Sequence, residues 1–361
     1  MFLVCKGKNI LAVGLILILL AGLLLPALII EEKRYITVEK IDDGGQKTEE
    51  KYIKWIDFNI PYSAMNKALE LDIKSYGTEK HYNWIEILAY LASKYYGHYS
   101  RYKAKDMDKL IEELKSGKTM EELTAGMKLY PYYLEAYTAV LGGFVGEYEI
   151  EVPSKENPNQ KVYTKKYGLK VFSPIASGYN YSSYDDFGDG RSYGYKRKHM
   201  GNDLIASVGT PVIAVESGYV EAIGWNQYGG WRIGIRSLDS KRYYYYAHLR
   251  KDQPYHKELV EGQIVKAGDV IGYVGMTGYS RRENVNNIKT PHLHFGMQII
   301  FNEVQKDGIN QIWIDTYNIL KLLKKNRSAV WRDSKTKDFY RVFDIMDPNV
   351  DAFKKKPFFI N

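Results

Sequence analysis

One long apolar run near the start of the chain constrains its architecture more than any other feature. Residues 10–30 read ILAVGLILILLAGLLLPALII and contain no charged side chain. A run of about 20 apolar residues matches the hydrocarbon thickness of a bilayer, and glycine and proline are tolerated in such helices. The sequence therefore predicts a transmembrane anchor over residues 10–30.

The charges around this run predict its orientation. Lys6 and Lys8 precede it, whereas residues 31–34 (EEKR) carry no net charge. Because positive flanks favour the cytoplasmic side, we expect residues 1–9 to be a cytoplasmic tail of a single-pass cell-membrane protein whose remainder is extracytoplasmic. A cleaved signal peptide is the alternative, and it exports the same remainder. The length of the run and the absence of a small-x-small site before Glu31 favour the anchor.

Composition limits the chemistry of the exported part. The only cysteine, Cys5, lies before the apolar run, so disulfides and cysteine-ligated zinc are excluded from the main body. A metal site there must use His, Asp or Glu. The net charge of +8 favours anionic surroundings or simply aids solubility. Export makes nucleic acid a poor candidate partner.

The exported part begins with a predicted linker and a predicted helical domain. Residues 31–60 mix charge, glycine and β-prone residues and are expected to form a stalk. Residues 61–143 show helical spacing of apolar side chains. Asn83 is a candidate N-cap, and Thr119 with Glu122 has the pattern of a capping box. No catalytic signal occurs in this helical domain, so its role stays unknown.

After Gly143 the pattern changes from helical to β. Residues 144–175 are predicted to be a linker containing a short strand, Glu147–Val152. Residues 176–318 alternate short β-prone runs with glycine turns, which predicts an antiparallel β domain. Residues 319–361 are predicted to be a basic C-terminal extension, and Thr316–Lys325 a helix. The predicted fold class is therefore α+β: a transmembrane helix, a small helical domain, then an antiparallel β-sheet domain.

Four of the histidines fall in the β domain in settings that suggest metal chemistry. His199 and Asp203 are four residues apart with a glycine between them. His292 and His294 are two apart, so on a strand they face the same side. His248 follows an aromatic strand. Imidazole and carboxylate oxygen are both good zinc ligands, but spacing alone does not say which histidines bind metal and which move protons.

These residues stand within an ordered set of motifs that resembles the M23 peptidase family, the lysostaphin/LytM-like peptidoglycan endopeptidases. The resemblance covers roughly residues 190–300. The motifs, in chain order, are HMGNDLIA (199–206), GTPVIAV (209–215), GYV (218–220), YAHL (246–249), GQIVKAGDVIG (262–272), GMTG (275–278) and PHLHF (291–295).

The resemblance implies a role for each matching residue. His199, Asp203 and His294 would bind one Zn²⁺ per catalytic domain, and His248 and His292 would be the catalytic histidines. Tyr193 occupies a position where some family members place a tyrosine near the metal, although Tyr195 is close by. The implied fold is an M23-type antiparallel β domain with a peptide-binding groove, and the implied substrate is the peptide part of peptidoglycan.

Two other hypotheses remain beside the enzyme. A non-catalytic M23-like protein could act as an envelope scaffold or activator with unknown protein partners. Members of that kind usually lack zinc ligands, whereas all five key positions are intact here. Alternatively, residues 31–175 could cover the groove and hold the enzyme inactive.

Overall fold

The structure is a computed structural model that describes residues 34–41, 47–193, 195–308 and 310–355. The predicted cytoplasmic tail and the predicted anchor, residues 10–30, lie outside these ranges. Within the described ranges, no helix has both the length and the apolar character that a membrane crossing requires.

Helices and strands both occur in quantity, which confirms a mixed α and β fold with antiparallel sheets. The described α-helices are α1 Tyr62–Ser75, α2 Trp84–Lys94, α3 Ala104–Lys115, α4 Met120–Thr124, α5 Tyr130–Leu141, α6 Glu303–Asp307, α7 Tyr317–Leu323 and α8 Pro348–Lys354. The described strands are β1 Tyr35–Ile41, β2 Lys47–Ile53, β3 Val145–Pro153, β4 Lys161–Leu169, β5 Ser182–Ser183, β6 Gly190–Tyr193, β7 Tyr195–Lys198, β8 Asn202–Ile205, β9 Pro211–Ile213, β10 Gly218–Asn226, β11 Gly230–Ser237, β12 Arg242–Ala247, β13 Ile264–Val265, β14 Val270–Tyr273, β15 His292–Ile299, β16 Ile312–Trp313, β17 Val330–Arg332, β18 Phe339–Arg341 and β19 Ile345–Met346.

The described residues divide into two compact units: those of 34–56 with those of 301–312, and those of 57–300 with those of 313–355. In the first unit, β1 and β2 form an antiparallel hairpin within the segment predicted to be a stalk. The side-chain amide of Gln305 on α6 donates to the backbone oxygen of Ile53 at 2.7 Å. This bond links α6 to the end of β2.

Local capping signals in the helical segment of the second unit match the structure. The Asn83 side chain accepts hydrogen bonds from the first backbone N–H groups of α2. Thr119 and Glu122 form a reciprocal capping box at α4. Both caps satisfy N–H groups that have no partner within the helix, so both predictions are confirmed.

The central antiparallel sheet carries the predicted site. Seven of its strands are ordered β13-β10-β11-β12-β15-β8-β5. Alternation along β15 buries Leu293 and Phe295 in the core at 0% and 1% exposure. His292 and His294 therefore project from the other face, as their spacing predicts.

Residues 317–354 contain helices and paired strands, within and next to the segment 319–361 that the sequence predicts to be a basic extension. Ile345 on β19 pairs with Ile150 on β3, and β3 also pairs with β4. Ile345 belongs to a buried apolar cluster with Phe172 and Ile213. A strand of two residues gains its stability from such distant partners, so the local sequence pattern does not predict it.

Candidate metal centre and active site

Strand pairing brings together the three predicted metal ligands. On neighbouring strands, Asp203 lies directly opposite His294, and His199 precedes β8. His199 Nε2 is 2.7 Å from His294 Nδ1 and 3.1 Å from Asp203 Oδ1. His294 Nδ1 is 3.2 Å from the same carboxylate oxygen. Two imidazole nitrogens and one carboxylate oxygen thus converge on one point.

Gly201 explains why a glycine separates His199 from Asp203. A Cβ at this position would lie 2.7 Å from His294 Cε1 and 2.6 Å from the backbone oxygen of Phe295. Such distances are too short for any side chain. The glycine lets the His294 ring pack directly against the backbone between the other two residues.

The hydrogen bonds of His199 indicate which of its nitrogens faces the centre. His199 Nδ1 lies 3.0 Å from the backbone oxygen of Asp186 and 3.2 Å from its carboxylate. Arg191 Nη2 also lies 3.2 Å from Nδ1. Nδ1 is thus engaged by Asp186 and Arg191, and Nε2 is the nitrogen that faces His294 and Asp203. His199 Nε2 and His294 Nδ1, only 2.7 Å apart, can share a cation or a proton. The donor set therefore fits a metal ion with two nitrogen ligands and one oxygen ligand.

Asp186 and Arg191 support this centre, and the sequence analysis did not identify either residue. Arg191 Nη2 donates to Asp186 Oδ2 at 2.7 Å and lies 3.5 Å from Asp203 Oδ2. The backbone N–H of Asp203 donates to Asp186 Oδ1 at 3.2 Å. Asp186 thus contacts two predicted ligands: the side chain of His199 and the backbone N–H of Asp203. It lies outside every motif, so no spacing signal reveals it.

The pKa values of the two carboxylates, Asp203 and Asp186, shift in opposite directions. Burial tends to raise the pKa of Asp203, but hydrogen bonds with His199 and His294 hold that pKa well below its usual range. Burial and the neighbouring Asp203 charge raise the pKa of Asp186. Asp203 is therefore the carboxylate that stays ionised, as a metal ligand requires.

His248 and His292 lie beside the three converging residues, with ring centroids 4.8 Å apart. His248 Nδ1 donates to the backbone oxygen of Thr277 at 2.9 Å, and His292 Nδ1 donates to that of Thr290 at 2.8 Å. Each Nε2 then carries the lone pair. His292 Nε2 is 3.6 Å from Asp203 Oδ1, which places it next to the centre.

The surroundings of His248 and His294 disfavour the charged imidazole. Burial, together with the nearby His292 and His294, holds the pKa of His248 well below its usual range. Burial also lowers the pKa of His294. A neutral imidazole can bind a metal or accept a proton. His248 ends its strand with a φ of 63°, a left-handed conformation uncommon for a residue other than glycine.

Tyr193 lies in an aromatic wall near His248. Its ring is 5.1 Å from that of Tyr279 and 6.2 Å from that of Tyr228. Tyr279 in turn lies 5.7 Å from His248. Tyr195, the alternative, contacts Tyr228 and is 56% exposed. Tyr279 therefore contacts both Tyr193 and His248 and links the two rings.

Comparison with known proteins agrees with this geometry. Residues 197–308 match the model of peptidase family M23. The matched segment contains all five histidine and aspartate positions and the strands that hold them. This part of the chain is therefore M23-like in sequence as well as in the residues it brings together.

Two curated relatives illustrate the likeness. The L-Ala–D-Glu endopeptidase of Bacillus subtilis (strain 168) is 44% identical over 124 residues, which cover 34% of this chain and 36% of that protein. The peptidoglycan DD-endopeptidase ShyC of Vibrio cholerae serotype O1 is 33% identical over 115 residues, covering 32% of this chain and 23% of that protein. The chain thus matches about a third of the first relative and less than a quarter of the second. Both are named as endopeptidases.

A solved structure extends the likeness to more of the chain. A LytM protein from Ruminococcus gnavus ATCC 29149 has a TM-score of 0.50 and 22% sequence identity. The match covers 75% of this chain and 91% of that one. It supports a shared fold.

Proposed function

We propose that this chain is a zinc-dependent endopeptidase that hydrolyses peptide bonds of peptidoglycan. The observation that carries the proposal is the convergence of His199 Nε2, Asp203 Oδ1 and His294 Nδ1 on one point. A catalytic zinc site needs three protein ligands and an open fourth position. The M23 match over residues 197–308 and the endopeptidase names of the relatives support the same reaction.

The chain's own residues divide the work around the metal. His199, Asp203 and His294 would hold one Zn²⁺, and Asp186 orients His199. A zinc ion bound there would polarise the scissile carbonyl and make the attacking water more acidic. His248 and His292 hold their Nδ1 atoms against backbone oxygens, which leaves each Nε2 to accept and return the proton of that water and to stabilise charge on the transition state.

A non-catalytic scaffold is the second candidate, and hydrolysis of purified peptidoglycan separates the two. The full chain is incubated with the peptidoglycan, after which new amino termini are counted and the fragments identified by mass spectrometry. The proposal expects new termini that disappear with a chelator and return when zinc is restored. A protein that binds no zinc and releases no termini is the scaffold.

We also propose that residues 10–30 anchor the chain in the cell membrane, with residues 1–9 in the cytoplasm and the catalytic domain outside. The apolar run and the lysines before it support this proposal. Cys5 provides the test, because it is the only cysteine. A membrane-impermeant maleimide should label Cys5 only after cells are lysed. Labelling in intact cells, or loss of Cys5 by cleavage, would contradict the topology.

A further inference from the structure

Two arginines next to the candidate site each have a buried donor without a partner. These are Arg197 on β7 and Arg232 on β11. Within the described residues, Nη1 of each is buried and makes no hydrogen bond. A buried donor that is left unpaired is costly, and structures retain such groups mainly where another molecule supplies the acceptor.

The sheet register places Arg232 on the same face as His294. Ala247 on β12 lies opposite His294 on β15. Ile233 on β11 lies opposite Tyr246. The residue before Ile233, Arg232, therefore lies opposite Ala247, in one row with Ala247 and His294. Two strand spacings correspond to roughly 10 Å. Arg232 thus lies about 10 Å from His294 along the same surface of the sheet.

The strand beyond Arg232 leaves this surface open. Gly224 on β10 lies opposite Arg232, and no atom lies within 4 Å of the position that a side chain of Gly224 would first occupy. The sheet surface on the side of Arg232 away from His294 is therefore open.

Aromatic contacts fix Arg197 over the same region. Its guanidinium carbon lies 5.0 Å from the ring centre of Tyr228 and 5.2 Å from that of Tyr279, and Tyr279 is the ring that contacts His248. Contact through the faces of a guanidinium leaves its in-plane N–H donors available. Arg197 is therefore held in place with Nη1 unpaired, available to a planar acceptor.

Tyr245 lies near both arginines. It is on the same face of the sheet as Arg232, and its hydroxyl lies beside Gly229, next to the Tyr228 ring that Arg197 packs on. The Tyr245 ring is 5.9 Å from that of His294. Arg197 and Arg232 thus lie on the same side of the sheet as the metal centre.

We propose that Arg197 and Arg232 form a carboxylate-binding subsite that selects peptides with a free carboxylate near the cleaved bond. The inference rests on the proposed function. A carboxylate accepts paired N–H groups from guanidinium in a planar geometry. At about 3.3 Å per extended residue, 10 Å places that carboxylate about three residues from the scissile bond.

Binding to the metal-free chain tests the subsite without hydrolysis. The probes are muropeptides released from peptidoglycan and the same muropeptides after their carboxylates are converted to carboxamides. Calorimetry of the full chain should show at least about tenfold tighter binding of the carboxylate form, as expected for hydrogen bonds to a charged group. Equal affinity for the two forms, or no binding of either, would overturn the subsite.

Variants assign the preference to the two arginines. Arg197→Gln and Arg232→Gln should each remove most of the preference. Lys196→Gln removes a positive charge from an exposed position of β7, and this variant should keep the preference for the carboxylate form. Arginine variants that retain the full preference contradict the proposal, and the wild-type comparison decides the question if a variant does not fold.

Parallel hydrolysis assays separate this proposal from the proposed function. Zinc-dependent cleavage of both probes with equal efficiency rejects the subsite and leaves the peptidase. A carboxylate preference in binding without any cleavage rejects the peptidase and leaves the subsite.

Discussion

Asp186 holds His199 through two acceptors at once. Its backbone oxygen and its carboxylate lie 3.0 Å and 3.2 Å from His199 Nδ1. This contact joins a loop before β6 to the first candidate metal ligand and turns its Nε2 toward His294 and Asp203. The orientation of the metal centre thus depends on a residue outside the five that the sequence analysis selected.

Removing the Asp186 carboxylate should weaken metal binding. In Asp186→Ala the backbone acceptor remains, so we expect the zinc dissociation constant to rise by about 10- to 100-fold, the usual effect of losing such a supporting partner. Competition with a fluorescent chelator measures it. Asp185→Ala, at the exposed neighbouring position, is the matched control and should bind as the wild type does. Unchanged affinity in Asp186→Ala would refute this role.

His248 and His292 should be needed for hydrolysis and dispensable for the metal. Because their Nδ1 atoms are bound to backbone oxygens, replacing either ring by alanine removes a proton acceptor. We expect hydrolysis to slow by about 10²- to 10⁴-fold while zinc content stays unchanged. His98→Ala, at an exposed position of the helical segment, is the control. If His292→Ala lost its metal while His294→Ala kept it, the assigned roles would be wrong.

Gly201→Ala should disrupt the metal centre without removing a ligand. The new Cβ would meet His294 and the backbone of Phe295 at distances below 3 Å, so His294 must move. We expect zinc content and hydrolysis to fall together. Gly190→Ala on β6, where a Cβ meets nothing within 4 Å, should preserve both. Full zinc content in Gly201→Ala would show that the close packing of His294 is not required.

The contacts of Arg242 predict that the helical segment stabilises the β domain. Its buried guanidinium pairs with Glu216 at 2.8 Å and donates to the backbone oxygen of Ala139 on α5 at 2.6 Å. Breaking a buried ion pair from one side costs about 3–5 kcal/mol. Urea unfolding of Arg242→Ala should show a loss of this size, and Arg332→Ala, at an exposed position, should show little. If the free energy of unfolding of Arg242→Ala fell by less than about 1 kcal/mol, as is typical for exposed ion pairs, this prediction would be wrong.

The same contact bears on the hypothesis of autoinhibition, which stays a prediction. Arg242 begins β12, and His248 follows the other end of that strand, about 20 Å away at 3.3 Å per residue. A chain that starts near Phe172 lacks the Ala139 acceptor, so we expect it to be less stable. Autoinhibition requires that this shortened chain, when folded, hydrolyse peptidoglycan at least as fast as the longer one.

Local chemistry made several features predictable from the sequence. Asn83, Thr119 and Glu122 are caps whose partners lie within three residues, and the structure shows those bonds. The two-residue spacing of His292 and His294 places both on one face of a strand wherever that strand pairs. Such signals need no knowledge of distant contacts.

Distant pairing accounts for what the sequence did not reveal. The contact between His199 and His294 joins residues 95 positions apart, and it depends on the register of β8 against β15. The placement of Arg197 and Arg232 on one side of the sheet depends on how a hairpin folds over it. Ile345 pairs with Ile150, which no local pattern announces. Only the motif resemblance linked distant residues, and it did so only for the five that it contains.

Zinc content and peptidoglycan hydrolysis, measured together on the wild type and Asp203→Ala, test the central claim most directly. The carboxylate of Asp203 lies within 3.2 Å of both candidate histidine ligands. We predict about one zinc per wild-type chain, as for a mononuclear catalytic site, with release of new amino termini, and loss of both in Asp203→Ala. A wild-type chain that hydrolyses without zinc, or an Asp203→Ala chain that keeps its zinc and its activity, would contradict the account.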